Sequence, residues 1–160
     1  MIVRGMISAT VLAALIAAPA FAQAPRLLAQ AGSWSKVSAA GVMAYLARDG
    51  AGGSIEIGCD FARTLDGSAT GIALESGGRL LPPDSIVVFR VGGESITMPT
   101  GKSGGVSLAT CPSCKEGFSR LWSLMRAGEQ LEVIASDGRR AVFPLDGAAE
   151  LMPAAPCGEP

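Results

Sequence analysis

From Ile55 to Phe61 apolar and polar positions alternate, placing Ile55, Ile57, Cys59 and Phe61 on one face of a strand. Val42, Tyr45 and Leu46 precede that run; they also fit a helix, but Asp49-Gly50 and Gly52-Gly53 turn the chain between the two runs. The pattern therefore predicts a hairpin with strands over about 41–48 and 54–61. Asp66-Gly67 makes the next turn, and Gly71 to Glu75 forms a short strand carrying Ile72 and Leu74. Ser76 to Asp84, with two Gly and two Pro, is expected to be a loop. Ser85 to Val91 and Glu94 to Met98 flank Gly92-Gly93, a two-residue hairpin loop. Pro99 to Gly105 is loop and Val106 to Ala109 a short strand. Leu131, Val133 and Ala135 alternate up to Asp137-Gly138, and Arg139 to Leu145 returns with Val142 opposite Ala141 and Phe143. Asp146 is placed to cap a short helix over Ala148 to Met152, which Pro153 ends.

One stretch changes period. Phe118, Leu121, Trp122 and Met125 fall at i, i+3, i+4 and i+7, an apolar stripe on a helix over about 114–127. Ser113 and Glu116 have the spacing of a capping box, which makes Ser113 the N-cap and Cys114 the first helical residue. Arg126 suits the last turn, and Gly128 is a natural C′ stop. Hairpins, short strands and one real helix define a mainly β fold, an antiparallel β sandwich or open barrel with one packed helix.

The first residues stand outside that pattern. Arg4, the apolar run Ile7 to Ala18, Pro19 and the site Ala20-Phe21-Ala22 have the layout of a secretory signal over 1–22. Residues 23–33 show no period and read as a flexible leader, so a single β-rich domain over 34–157 begins with Trp34 as its first core residue. Removing Arg4 leaves 12 basic against 14 acidic residues, a net charge of −2. That balance argues against a nucleic-acid partner, and no later stretch is long and apolar enough for stable membrane insertion after cleavage. The expected location is the bacterial periplasm or the exterior.

All four cysteines (Cys59, Cys111, Cys114 and Cys157) lie in the exported part, and an even number in an oxidising compartment favours two disulfides. Four cysteines allow three pairings, and sequence alone does not choose. Cys59 points inward from a strand and Cys157 ends an otherwise untethered tail, so we expect Cys59 with Cys157 and Cys111 with Cys114.

Absent chemistry narrows the function. The chain has no His, which removes Ser-His-Asp and Cys-His catalysis and His metal sites. Gly101-Lys102-Ser103 lacks the earlier glycine of a phosphate loop, since position 96 is Ile. The aspartates sit mostly at turns. Cys111 and Cys114 have zinc-knuckle spacing, but Cys59 and Cys157 supply no second knuckle, so no metal and no cofactor is expected. Cys111-Pro112-Ser113-Cys114 opening a helix is locally similar to a thioredoxin active site, yet hairpins precede it where that fold needs a βαβ unit. The favoured reading is a disulfide loop that pins the helix start to the sheet. A thiol-disulfide redox protein is the alternative, and an inhibitor of an exported enzyme a third.

From Gly78 to Leu151 the order of features resembles the invasion-associated locus B family of exported bacterial proteins. The strand Val88 to Val91, the turn Gly92-Gly93 and Ile96-Thr97-Met98-Pro99 come first, followed by the Cys pair and Leu121-Trp122-Ser123-Leu124-Met125-Arg126-Ala127-Gly128. Leu131 and Val133, then Phe143, Leu145 and Gly147, complete the pattern. The resemblance implies a small exported β-rich domain without known catalytic residues, acting by binding another envelope or host protein.

Overall fold

The computed structural model describes residues 24–39, 42–60, 71–109 and 111–158. Phe61 and the Asp66-Gly67 turn, like residues 1–22 read as a secretory signal, lie outside the described residues. Eleven strands run in chain order among the described residues: β1 (Arg26–Ala31), β2 (Trp34–Ala39), β3 (Val42–Arg48), β4 (Ser54–Asp60), β5 (Gly71–Ser76), β6 (Arg79–Leu80), β7 (Ile86–Val91), β8 (Glu94–Pro99), β9 (Val106–Ser107), β10 (Gln130–Ala135) and β11 (Arg140–Pro144). Helix α1 (Cys114–Ala127) separates β9 from β10, and a short helix α2 (Ala148–Leu151) and a 3-10 turn (Pro156–Gly158) close the chain. Strands β1 to β6 pair in sequence order as one sheet with β9 on β5; the second sheet has the order β11-β10-β7-β8. Every pairing is antiparallel, giving a mainly β fold of two sheets with one packed helix.

Register turns the alternation into a core. Trp34, Ala47, Ile55 and Leu74 oppose one another in a row across β2 to β5, and Tyr45, Ile57, Ile72 and Val106 form the next row. On the second sheet Val87, Phe89 and Val91 face Ala135, Val133 and Leu131. These residues and the α1 stripe share one buried cluster. Trp34 ties the sheets together, its indole N–H donating to the Pro144 carbonyl at 2.9 Å. Arg139 makes a second tie, donating from the β10–β11 turn to the carbonyls of Ser76 (3.2 Å), Arg79 (3.0 Å) and Leu80 (2.8 Å) at the β5–β6 turn. Asp137 holds that guanidinium from behind at 2.7 Å.

Several sequence expectations need correction. The segment read as a flexible leader contains β1, which pairs with β2 from Arg26↔Ser38 to Ala31↔Trp34. Its side chains stay largely exposed and its register slips between Leu27 and Ala29, so a strand held by its backbone ladder leaves no hydrophobic period to read. The loop expected over Ser76 to Asp84 contains β6, because Gly77 and Gly78 both take positive φ and turn the chain tightly. Asp137-Gly138 does make its hairpin, but only Gly138 has positive φ; Gly138 N–H bonds Ala135 O at 3.0 Å, a type I turn with a glycine bulge.

Ser113 holds the N-cap position and Cys114 is the first residue of α1, as expected, but the capping box itself does not form. Ser113 is itself in the right-handed helical region (φ −68°, ψ −15°) and makes no side-chain cap bond. The amides of Cys114 and Lys115 are already taken by the carbonyls of Cys111 (2.9 Å) and Pro112 (3.3 Å). Asp146 does not cap α2 either; Gly147 occupies that position with φ 83°. Asp146 instead receives Ser33, hydroxyl to Oδ1 at 2.7 Å and amide to carbonyl at 3.2 Å, seating the β1–β2 turn. Gly128 does end α1 as expected, in an extended conformation (φ −92°) with its amide on Leu124 O. Its lack of a side chain serves space, since a Cβ there would overlap Val91 Cγ1.

Candidate functional site: the Cys111 cleft

The packed helix carries the expected core residues. Phe118, Leu121, Trp122 and Met125 are fully buried along α1, as is Trp34 on β2. Trp122 meets Tyr45 edge-on with ring centroids 5.4 Å apart, and Phe118 at 5.9 Å. Its indole N–H donates to Pro153 O at 2.8 Å, while Arg126 Nε donates to Met152 O at 3.0 Å. These two bonds latch α1 to the C-terminal segment that carries Cys157. At Gly117 the helix lies against β8, where an added Cβ would make ordinary contacts, 3.4 Å from Ile96 Cγ2 and 3.6 Å from Met98 Cε.

The four cysteines form two disulfides, Cys59–Cys157 and Cys111–Cys114. They differ in the length of chain they close and in the access to one of their sulfurs. Cys59 and Cys157 are 1% and 6% exposed, and their bond crosses a sequence separation of 98. Cys111 and Cys114 are three positions apart. In the chain-entropy relation the long bridge stabilises by about 4.7 kcal/mol and the short one by about 1.6 kcal/mol. The short bridge also does not pin the helix to a sheet as expected, because both sulfurs belong to the entry turn of α1 itself. The packing against β8 at Gly117 and the Trp122–Tyr45 contact hold α1 to the sheets instead.

Beside Cys111 lies an open cleft of about 610 Å³, lined by Asp84, Pro99, Thr100, Gly101, Lys102, Ser103, Gly105 and Ser107 together with Cys111. Its floor is rigid. Thr100, only 5% exposed, donates from Oγ1 to Pro82 O at 2.7 Å and accepts from Ser85 N–H at 2.9 Å; its own amide donates to Ser85 O at 2.9 Å. Asp84 is held at positive φ (47°), with its amide on Gly101 O at 3.2 Å. Aspartate is among the few side chains that tolerate this conformation. Gly101 N–H closes the loop onto Gly105 O at 2.8 Å.

Sequence reading found the cysteines but not their cleft. Pro99 to Gly105 reads as a polar loop, and nothing local signals that it folds against 82–85 and against Cys111, which is partly exposed. Lys102 and Ser103, met first as an incomplete phosphate motif, line the cleft wall. Cys59 and Cys157 meet elsewhere in the core. Among the described residues no three His, Cys, Asp or Glu side chains come together as a metal site, and no helix is long and apolar enough to cross a membrane. On the outer face of the second sheet Glu132 bridges Arg90 and Arg140, at 3.0 Å to each, while Arg120 of α1 pairs with Glu94 at the start of β8.

Two antiparallel sheets, one packed helix and two disulfides define a small oxidised β domain. The YfjT family model matches residues 32–152, most of the chain, and the protein belongs to that family. No curated protein and no solved structure matches the chain.

Proposed function

We propose that this protein is exported to the periplasm or beyond and acts there by contact with another envelope or host protein, not by catalysis. The observation that carries the reading is the buried Cys59–Cys157 bridge. A fold that draws about 4.7 kcal/mol from one disulfide belongs in an oxidising compartment. The secretory layout of residues 1–22 supports the same location. The lack of His, and the likeness of residues 78–151 to the invasion-associated locus B pattern, support contact over catalysis.

Export is tested by osmotic-shock fractionation with intact-mass measurement. The expected product starts at Gln23, is found outside the cytoplasm and carries two disulfides; a cytoplasmic protein with four thiols would overturn the location. Contact is tested by placing a photo-crosslinking residue at Lys102 in living cells. A discrete adduct with one envelope or host protein is expected, and crosslinking to none would overturn the binding role.

A further inference from the structure

We propose that Cys111–Cys114 is an exchangeable disulfide that accepts the thiolate of a cysteine-bearing polypeptide entering the cleft at Cys111. The two sulfurs are unequal in access. Cys111 is partly exposed and lines the cleft, whereas Cys114 is 7% exposed and belongs to the buried core. A nucleophile arriving through the cleft therefore meets Cys111 before Cys114. Lys102 and Asp84 line the same cleft, so it presents one charge of each sign to an incoming polypeptide.

The leaving group is also set by the fold. Cys114, the first residue of α1, is the sulfur displaced when Cys111 is attacked. Attack on Cys111 thus forms a new S–S bond between the incoming sulfur and Cys111, breaks the Cys111–Cys114 bond, and leaves the electron pair on Sγ of Cys114. Two outcomes balance from there. Cys114 thiolate attacks Cys111 and expels the partner unchanged, or a second thiolate of the partner attacks its own bound sulfur. The latter oxidises the partner to a disulfide and leaves Cys111 and Cys114 as a dithiol. Opening the bond leaves the domain folded, because the three-position ring ties no strand and Cys59–Cys157 holds the tail. This covalent step goes beyond the contact role proposed above and stands on the geometry of the cleft alone.

The test uses the oxidised wild-type protein in native buffer with limiting reduced glutathione as the probe thiol, quenched by alkylation and mapped by peptide mass spectrometry. Glutathione is expected on Cys111, the alkyl group on Cys114, and Cys59–Cys157 intact. Opening of the short bridge should be faster than that of the long one by about 100-fold or more, and the difference should collapse in denaturant. Glutathione found on Cys114, equal rates for the two bridges, or opening that occurs only as the protein unfolds would overturn the proposal.

Discussion

Replacing Trp122 removes the side chain on which α1, the first sheet and the C-terminal segment all converge. It is fully buried, meets the rings of Tyr45 and Phe118, and donates its N–H to Pro153 O at 2.8 Å. Trp122→Ala leaves a ring-sized cavity and should cost about 3–5 kcal/mol. Trp122→Phe keeps an aromatic ring but orphans the Pro153 carbonyl and removes part of the ring volume, for about 2–3 kcal/mol. Against a domain stability on the order of 5–15 kcal/mol, the alanine variant should unfold at markedly lower urea. The assay is urea unfolding under non-reducing conditions, followed by far-UV circular dichroism and by the fluorescence of Trp34, the one tryptophan left in each variant. An alanine variant within about 0.5 kcal/mol of wild type would refute the burial of the stripe. A costless phenylalanine variant would show that the indole N–H does not hold the tail.

Loss of the long bridge in a Cys59→Ser, Cys157→Ser double variant should lower stability by about 4–5 kcal/mol in the same assay, and a loss below 1 kcal/mol would contradict the entropy argument. Gly147→Ala should destabilise strongly, because its φ is 83° and a Cβ would overlap the Ala31 carbonyl; Gly117→Ala should be neutral or stabilise by up to about 1 kcal/mol, since its Cβ meets only side-chain methyl groups at 3.4 and 3.6 Å in a helix interior. Equal melting temperatures for these two variants would remove the seat of the β1–β2 turn. Arg139→Lys, which loses the planar fork on three carbonyls, should cost about 1–2 kcal/mol by thermal unfolding, with Arg79→Ala as a silent control because Arg79 contributes only its backbone. Burial pushes the Tyr45 hydroxyl above its ordinary value of 10.0. The folded state thus holds that proton more tightly, its contribution is complete below pH 10, and it is lost as pH rises through the folded value. Urea midpoints should fall above pH 10 in the wild type and fall less in Tyr45→Phe.

Much of the architecture was legible because one residue pattern served both local and global needs. Ile55, Ile57 and Cys59 alternate in the chain and line the core in the fold. Phe118, Leu121, Trp122 and Met125 recur at helical spacing and are buried together. Gly92-Gly93 has positive φ at both positions and turns β7 into β8 as its sequence required. What escaped were elements that bury few side chains. Strand β1 is held by backbone bonds to β2, and β6 is two exposed residues after a glycine turn. A hydrophobic pattern records side-chain burial, so such strands leave no mark in it.

By itself the sequence determined the alternating strands, the single amphipathic helix, the secretory layout of its first residues and an even set of cysteines. Those properties depend on side chains within a few positions of one another, where period and turn chemistry act directly. Tertiary structure alone decided that Asp146 receives Ser33 rather than capping a helix, that Arg139 reaches across to three carbonyls of the other sheet, and that a polar loop forms a cleft against Cys111. Each of these contacts joins groups distant in the chain, and their meeting is set by how the two sheets and α1 pack, which no local pattern contains.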